Sequence, residues 1–146
     1  MKYQARKFVK ESYDKNDEWA KERVSKLLES KGYDVHISDV EDYGVDITAT
    51  KGDKTIYVEA EVKHNYQWTN KGDYRFDTVS FLGRKIKWAE VGFWYCIVCA
   101  ETEAIVCCHS NRIYRDANTE FVNIKTEHRS GLDKLYRVPK DTCYWF

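Results

Sequence analysis

The most regular pattern of hydrophobic and polar positions runs from Tyr43 to His64 and predicts two β-strands joined by a turn at Lys51-Gly52-Asp53. In the second strand, the apolar side chains fall on one face, at Val58, Ala60 and Val62. The opposite face carries Tyr57, Glu59, Glu61 and Lys63. One face can therefore be buried, while the other keeps charged side chains available for chemistry.

A helical period precedes this hairpin and predicts an α-helix from about Asp17 to Ser30, ended by Gly32. Its apolar stripe consists of Ala20, Val24, Leu27, Leu28 and the stem of Lys31. A shorter helix is predicted for residues 2 to about 13, and a strand is predicted at Tyr33–Ile37. We therefore expect the chain to open with helix and strand before it enters the hairpin.

A second hairpin is predicted further along the chain, where apolar residues again form two short runs. Its strands are expected over Phe93–Ala100 and Ala104–His109, with a turn at Glu101-Thr102-Glu103. Between the two hairpins, polar and aromatic residues mix without a clear period. We expect an irregular segment there.

The C-terminal part of the chain has a weaker pattern. Asn123 to Leu135 is weakly helical by its spacing of apolar residues. Tyr136–Pro139 predicts a short edge strand, because proline cannot donate a ladder hydrogen bond. The terminal Tyr144–Phe146 is expected to pack on the body of the protein or on a partner chain.

The order of these elements predicts an α/β fold with a mixed central sheet flanked by helices. A length of 146 residues suits a single domain, residues 1–146, with a substantial hydrophobic core. The chain contains no internal repeat and no low-complexity linker.

The charge balance narrows the range of functions. The 24 basic and 24 acidic side chains give a formal net charge of zero, so a broadly basic surface for non-specific nucleic-acid binding is not expected. A local basic patch is still available to an enzyme. Such a patch is predicted after the first hairpin, at Arg75, Arg84, Lys85 and Lys87.

The sequence also favours a cytoplasmic protein with no membrane partner. No apolar run is long enough to span a bilayer, and the charged N-terminus lacks the apolar stretch of a signal peptide. The five cysteines are an odd number, which fits a reducing compartment better than a disulfide framework.

Candidate chemistry lies on the polar face of the first hairpin. Asp46 on the first strand and Glu61 on the second can present two carboxylates to one divalent cation. Lys63, two residues after Glu61, points the same way and can orient a water molecule or stabilise charge on a phosphate. Oxygen ligands favour Mg²⁺, with Mn²⁺ as the substitute, and such an ion makes hydroxide available near neutral pH. A solvated strand face with no catalytic role is the alternative interpretation of the same alternation.

The spacing Asp46…Glu61-Val62-Lys63 resembles the PD-(D/E)XK nuclease superfamily, although Val45 stands where the proline of that name would be. The helix that ends before Gly32 and is followed by a strand is similar to the opening of many of its members. The resemblance covers residues 17 to about 109 and implies a restriction-endonuclease-like fold.

The resemblance implies further site residues. The opening helix often supplies another carboxylate to the metal, for which Glu22 and Glu18 rank ahead of Asp17. An Arg-Lys pair before the next strand, here Arg84-Lys85, is implied to contact the nucleic-acid backbone.

The sequence thus leads to a hypothesis of a Mg²⁺-dependent nuclease, an endonuclease or exonuclease, for which DNA is favoured over RNA as the predicted substrate while the choice between them stays open. Asp46 and Glu61 would hold the metal together with the carbonyl of Val62, and Lys63 would position the attacking water. Compact nucleases of this kind often come from phages or mobile elements and often dimerise to cut two strands. The alternative is an inactive module of the same fold that binds nucleic acid or protein.

A zinc site is a third interpretation. Cys96, Cys99, Cys107, Cys108 and His109 are close together in sequence and are residue types that bind zinc. On a strand, however, residues three apart face opposite sides, so Cys96 and Cys99 are not expected to bind one ion. Buried free cysteines in an apolar hairpin explain the cluster better.

Overall fold

The computed structural model describes residues 10–38, 45–64, 67–126 and 129–146. For residues 10–16, 84, 87, 88, 121–126 and 129–133 it describes the backbone alone. The first predicted helix, residues 2 to about 13, therefore lies largely outside the described residues.

The chain forms two helices and nine strands within the described residues, joined by short 3₁₀ turns. In chain order these are α1 (Lys10–Ser30), β1 (Asp34–Ile37), β2 (Ile47–Lys51), β3 (Lys54–Lys63), β4 (Thr78–Leu82), β5 (Trp94–Cys99), β6 (Ile105–His109), α2 (Ser110–Ile113), β7 (Thr119–Thr126), β8 (Arg129–Pro139) and β9 (Tyr144–Trp145).

The helix α1 forms where the sequence has its helical apolar stripe, and the prediction from Asp17 to Ser30 is confirmed. Ala20 and Val24 are fully buried against the sheet, and Leu28 is nearly so. Gly32 follows the helix with a φ of +90°, a left-handed conformation that residues with a Cβ rarely adopt. The glycine therefore ends the helix and turns the chain into β1.

The predicted first hairpin is also confirmed. Strands β2 and β3 pair antiparallel with Ile47 opposite Val58 and Lys51 opposite Lys54, so Gly52 and Asp53 make the turn. The apolar face of β3 is directed at α1, where Val58 and Ala60 are buried. Its polar face is directed to the other side of the sheet.

The central sheet has six strands in the order β1-β2-β3-β5-β6-β9. Strands β3 and β5 are parallel, and the other neighbours are antiparallel, so the sheet is mixed as predicted. The second predicted hairpin is the β5–β6 pair. The terminal Tyr144–Phe146 packs on the body of the protein, since β9 pairs with β6.

A second sheet has three strands in the order β4-β8-β7. It corrects two predictions. The described residues of Asn123 to Leu135, a stretch predicted to be weakly helical, are strand, and Tyr136–Pro139 belongs to β8, which is the middle strand and not an edge. Pro139 is accommodated because it is the last residue of β8, opposite Thr78. The segment expected to be irregular also contains β4.

Two hydrophobic clusters hold these layers together, one on each face of the six-stranded sheet. The first lies under α1. The second lies between the two sheets, where Phe81 of β4 packs on Tyr95 of β5 with ring centroids 4.9 Å apart. The protein is therefore mixed α/β, with a helix on one face of the central sheet and a small sheet on the other. In the part of the chain that the structure describes, no helix has the length and apolar character needed to cross a bilayer.

Candidate active site

Asp46 lies where the β2–β3 ladder ends. The pairing of the two strands begins at Ile47 opposite Val58, so β3 continues past the start of β2. The carboxylate of Asp46 accepts a hydrogen bond from the backbone N–H of Ala60 at 3.1 Å. The side chain thus satisfies an amide that strand pairing would otherwise satisfy, and this contact fixes Asp46 beside the middle of β3.

Glu59 is the side chain that meets Asp46. The two carboxyl groups are hydrogen-bonded, and only 2% of Glu59 is exposed. Burial and the hydrogen bond with Asp46 raise the pKa of Glu59 to about 8. Burial also opposes ionisation of Asp46, but the hydrogen bond from Glu59 and the nearby charge of Lys85 lower its pKa overall. The pair therefore holds one proton on Glu59 and one negative charge on Asp46 at neutral pH.

Lys85 places a positive charge against this pair. Its Nζ lies 3.0 Å from a carboxyl oxygen of Glu59. Although burial opposes the charged form, attraction to Glu59, Asp46 and Glu61 raises the pKa of Lys85. One ammonium group therefore lies within the field of three carboxyl groups.

A second lysine reaches Asp46 from the helix. Lys21 is only 6% exposed, and its Nζ lies 3.1 Å from Asp17 and 3.7 Å from Asp46. Burial would lower the pKa of Lys21, yet the two carboxylates raise it above its ordinary value. The salt bridge between Lys21 and Asp46 thus connects α1 to the residue that precedes β2.

Glu61 and Lys63 follow Glu59 on the same face of β3. The carboxylate of Glu61 accepts a hydrogen bond from the hydroxyl of Tyr95 on β5. Burial and the charge of Glu61 raise the pKa of Tyr95, so the phenol stays protonated and acts as a donor. Lys63 ends the strand, and its carbonyl accepts from Ala100 at 3.0 Å.

Asp46, Glu61 and Lys63 were the catalytic residues predicted from the sequence, and their contacts in the structure include residues that were not predicted. Asp46 contacts Ala60, Glu59 and Lys21, whereas Glu61 is held by Tyr95. Glu59, Glu61 and Lys63 lie on one face of β3, whereas Lys21 reaches Asp46 from α1, on the opposite face of the sheet.

The residues implied by resemblance are placed as follows. Glu18 and Glu22 are exposed on α1, while Asp17 is the helix acid in contact with Lys21. Lys85, expected to contact nucleic acid, is turned toward Glu59, and the side chain of Arg84 lies outside the described residues.

The direction of the Val62 carbonyl follows from the alternation of backbone groups along β3. Successive amides of a strand point to opposite edges, and the Ala60 N–H points to Asp46. The N–H and C=O of Val62, two residues further on, point to that same edge. The Val62 carbonyl therefore faces the side of β3 on which Asp46 lies.

Glu59 and Lys21 are the site residues that sequence reasoning did not select. Glu59 had a signal, since it shares the polar face of β3 with Glu61. Lys21 could also have been identified from the sequence, because it lies one residue after Ala20 and three before Val24, beside the apolar stripe of α1. A lysine at such a position requires an acidic partner when it is buried.

The donor chemistry of the Asp46–Glu59 pair fits a Mg²⁺ or Mn²⁺ ion. Mg²⁺ is often held by one or two carboxylates, with water and substrate phosphate completing its shell. Within the described part of the chain, no three His, Cys, Asp or Glu side chains are grouped so that they could hold a metal ion by themselves.

The cysteine-rich hairpin has the geometry predicted for free thiols. Cys96 faces the cluster under α1, and Cys99 faces the cluster between the sheets. All five cysteines are buried, and none of them is in a disulfide.

Comparison of the chain with protein-family models and with curated proteins found no match.

Proposed function

We propose that the protein is a metal-dependent nuclease that hydrolyses phosphodiester bonds, with DNA as its preferred substrate. The observation that carries the proposal is the buried Asp46–Glu59 pair with the ammonium of Lys85 beside it. Two adjacent carboxyl groups can hold a divalent cation once the proton on Glu59 is released. The resemblance of Asp46 and Glu61-Val62-Lys63 to PD-(D/E)XK nucleases supports the same reaction and a restriction-endonuclease-like fold.

Asp46 and Glu59 would hold Mg²⁺ or Mn²⁺, with the carbonyl of Val62 as a further donor. A bound divalent cation would lower the pKa of a water molecule bound to it and neutralise charge on the scissile phosphate. Lys85 presents a positive charge to the same spot and would stabilise the negative charge that develops on the phosphate. Glu59 would have to release its proton to serve as a ligand, whereas Asp46 is already charged.

Glu61 and Lys63 lie further along the same face and would orient the attacking water. The hydrogen bond from Tyr95 fixes the Glu61 carboxylate, so its direction is set before substrate arrives. Lys63, at the end of β3, would supply a positive charge on the same face as Glu61. In this assignment, Asp46 and Glu59 bind metal, while Glu61 and Lys63 act on the nucleophile.

The test is a cleavage assay on plasmid DNA, single-stranded DNA and RNA, with Mg²⁺, Mn²⁺ or EDTA. We expect Mg²⁺-dependent cleavage that falls by about 100-fold or more in Asp46→Asn and in Glu59→Gln. Glu29→Gln, at an exposed position of α1, is the matched control and should cleave normally. Full cleavage by both folded site variants would overturn the proposal.

Two more variants separate the roles of the lysines. Lys85→Met should reduce cleavage at every Mg²⁺ concentration, because it removes charge at the phosphate. Lys63→Ala should reduce the rate while leaving Mg²⁺ affinity unchanged, because Lys63 would act on the water and not on the ion. Circular dichroism on each variant checks that the fold is retained.

A second candidate function is an inactive module of the same fold that binds nucleic acid or protein. Lys21 and Lys85 already neutralise the carboxyl groups, and that observation favours it. Titration calorimetry with Mg²⁺ and Mn²⁺ distinguishes the two candidates. Metal binding that is lost in Glu59→Gln supports the nuclease, and heat changes no larger than those of buffer alone support the inactive module.

A further inference from the structure

Cys96 on β5 and Cys107 on β6 lie directly opposite each other in the antiparallel pair. Their sulfur atoms are 2.7 Å apart. Both thiols belong to the cluster buried under α1, whereas Glu59 lies on the opposite face of β3. No part of the proposed reaction uses them.

The hydrogen-bond pattern explains why these two side chains are so close. The backbone N–H of Cys99 donates to the carbonyl of Ala104, and the backbone N–H of Ser110 donates to the carbonyl of Phe93. These opposite residues therefore form hydrogen-bonded pairs. Such pairs alternate along an antiparallel ladder, which makes Cys96 and Cys107 a non-hydrogen-bonded pair. In pairs of that kind the Cα atoms are only about 4.5 Å apart, within the range that a disulfide spans.

We propose that Cys96 and Cys107 are a modification site, at which a peroxide converts the two thiols into a cross-strand disulfide. One thiol attacks the peroxide, whose O–O bond breaks, and gives a sulfenic acid and one water. The second thiol then attacks that sulfur, forms the S–S bond and releases a second water. Each thiol loses one hydrogen, and hydrogen peroxide takes up the two electrons.

Access to the thiols is provided by a cavity of about 170 Å³ between α1 and the sheet. Cys96 and Cys107 form part of its wall, together with Leu28, Trp94 and Phe146. The cavity is large enough for hydrogen peroxide, since a water molecule occupies only about 30 Å³ of liquid. Burial and the neighbouring Cys96 raise the pKa of the Cys107 thiol well above its ordinary value, so the reaction requires sustained exposure to oxidant.

A rival pair lies close by and must be separated in the test. The thiols of Cys108 and Cys143 are also in hydrogen-bond contact, on the other side of β6. Because Cys107 and Cys108 are adjacent in sequence, a linked peptide alone does not always distinguish the two pairings. A variant that retains only Cys96 and Cys107, with Ser at the other three cysteines, removes the ambiguity.

The experiment treats the full chain with hydrogen peroxide, alkylates the remaining thiols and maps the peptides by mass spectrometry without reduction. We expect both thiols of the two-cysteine variant to be lost together, a Cys96–Cys107 linkage, and recovery of both thiols with dithiothreitol. The oxidised protein should melt about 5 °C or more higher, because the linkage restricts the unfolded chain. The same variant with Cys107→Ser added should form no such linkage.

The unsubstituted protein provides the second measurement, in case the two-cysteine variant does not fold. There, tandem mass spectra that place the link at Cys96 and Cys107 support the proposal. Alkylated Cys96 after peroxide treatment, or a link from Cys108 to Cys143 in its place, overturns it.

Discussion

The ammonium nitrogen of Lys85 lies 3.0 Å from a carboxyl oxygen of Glu59, a residue 26 positions earlier in the chain. The contact joins the turn after β4 to the middle of β3, and it lies beside the hydrogen bond between Glu59 and Asp46. Removing Lys85 would leave the carboxyl pair without its nearest cation. Lys85 thus stabilises a site that two acids alone would destabilise.

The raised pKa of Glu59 predicts how stability depends on pH. In the unfolded chain its pKa is near 4.5, and in the folded protein it is about 8. Between these values the folded state keeps a proton that the unfolded state has lost, so the free energy of unfolding falls as pH rises. Urea unfolding in EDTA should show a decline on the order of 2–4 kcal/mol between about pH 5 and pH 8.

Glu59→Gln is the variant that checks this assignment. Glutamine keeps the hydrogen-bonding shape but does not ionise, so the decline above about pH 5 should be lost. Glu29→Gln, on the exposed side of α1, should retain it. A decline of equal size in Glu59→Gln would show that another group titrates.

Lys21 gives a second electrostatic prediction. It is 6% exposed and contacts both Asp17 and Asp46, so Lys21→Met leaves Asp46 without its helix partner. We expect a loss of about 1–3 kcal/mol in the free energy of unfolding. Lys26→Met, exposed on the same helix, should change stability by less than about 0.5 kcal/mol. Equal effects in the two variants would contradict the buried role of Lys21.

Periodicity predicted the elements that have a clear pattern. The stripe of α1 and the alternation of β3 are strong local signals, and both are confirmed. Strand β7 and the first part of β8 were not predicted, because Asn123 to Leu135 has no strict alternation and contains good helix formers. Pairing of β8 with β4, more than 40 residues away in sequence, determines their structure.

For the candidate site, the sequence could predict which face of β3 carries the polar side chains, but not the register in which β2 pairs with β3. Alternation placed Glu59, Glu61 and Lys63 together on one side of β3. Which of them meets Asp46 depends on the pairing of Ile47 with Val58, which brings Asp46 beside Glu59. Lys21 and Lys85 reach the site from α1 and from the turn after β4, and no local pattern connects them to β3.

Phe81 is predicted to be a main contact between the two sheets. It is fully buried, and its ring packs on Tyr95, whose hydroxyl holds Glu61. Phe81→Ala should lower the free energy of unfolding by about 3–5 kcal/mol, measured by urea denaturation. Phe76→Ala is the matched control, because Phe76 is 43% exposed and should cost less than about 1 kcal/mol. Similar costs for the two would mean that the sheets are not held together by Phe81.

Gly83 is predicted to be required for the turn that carries Lys85. A Cβ at Gly83 would lie 2.6 Å from the backbone oxygen of Lys134 on β8, too close for the backbone to stay in place. Gly83→Ala should therefore lower the free energy of unfolding by about 1–3 kcal/mol and move Lys85 away from Glu59. The second effect should appear as a changed pH dependence of stability, measured as for Glu59→Gln.

Gly72→Ala is the comparison for Gly83→Ala. There the added Cβ would lie 3.0 Å from the side-chain oxygen of Asn70, which can rotate, so the cost should be smaller. Equal denaturation midpoints for Gly83→Ala and the unsubstituted protein would show that β8 can move aside. In that case, the close approach of Gly83 to Lys134 would not be what positions Lys85.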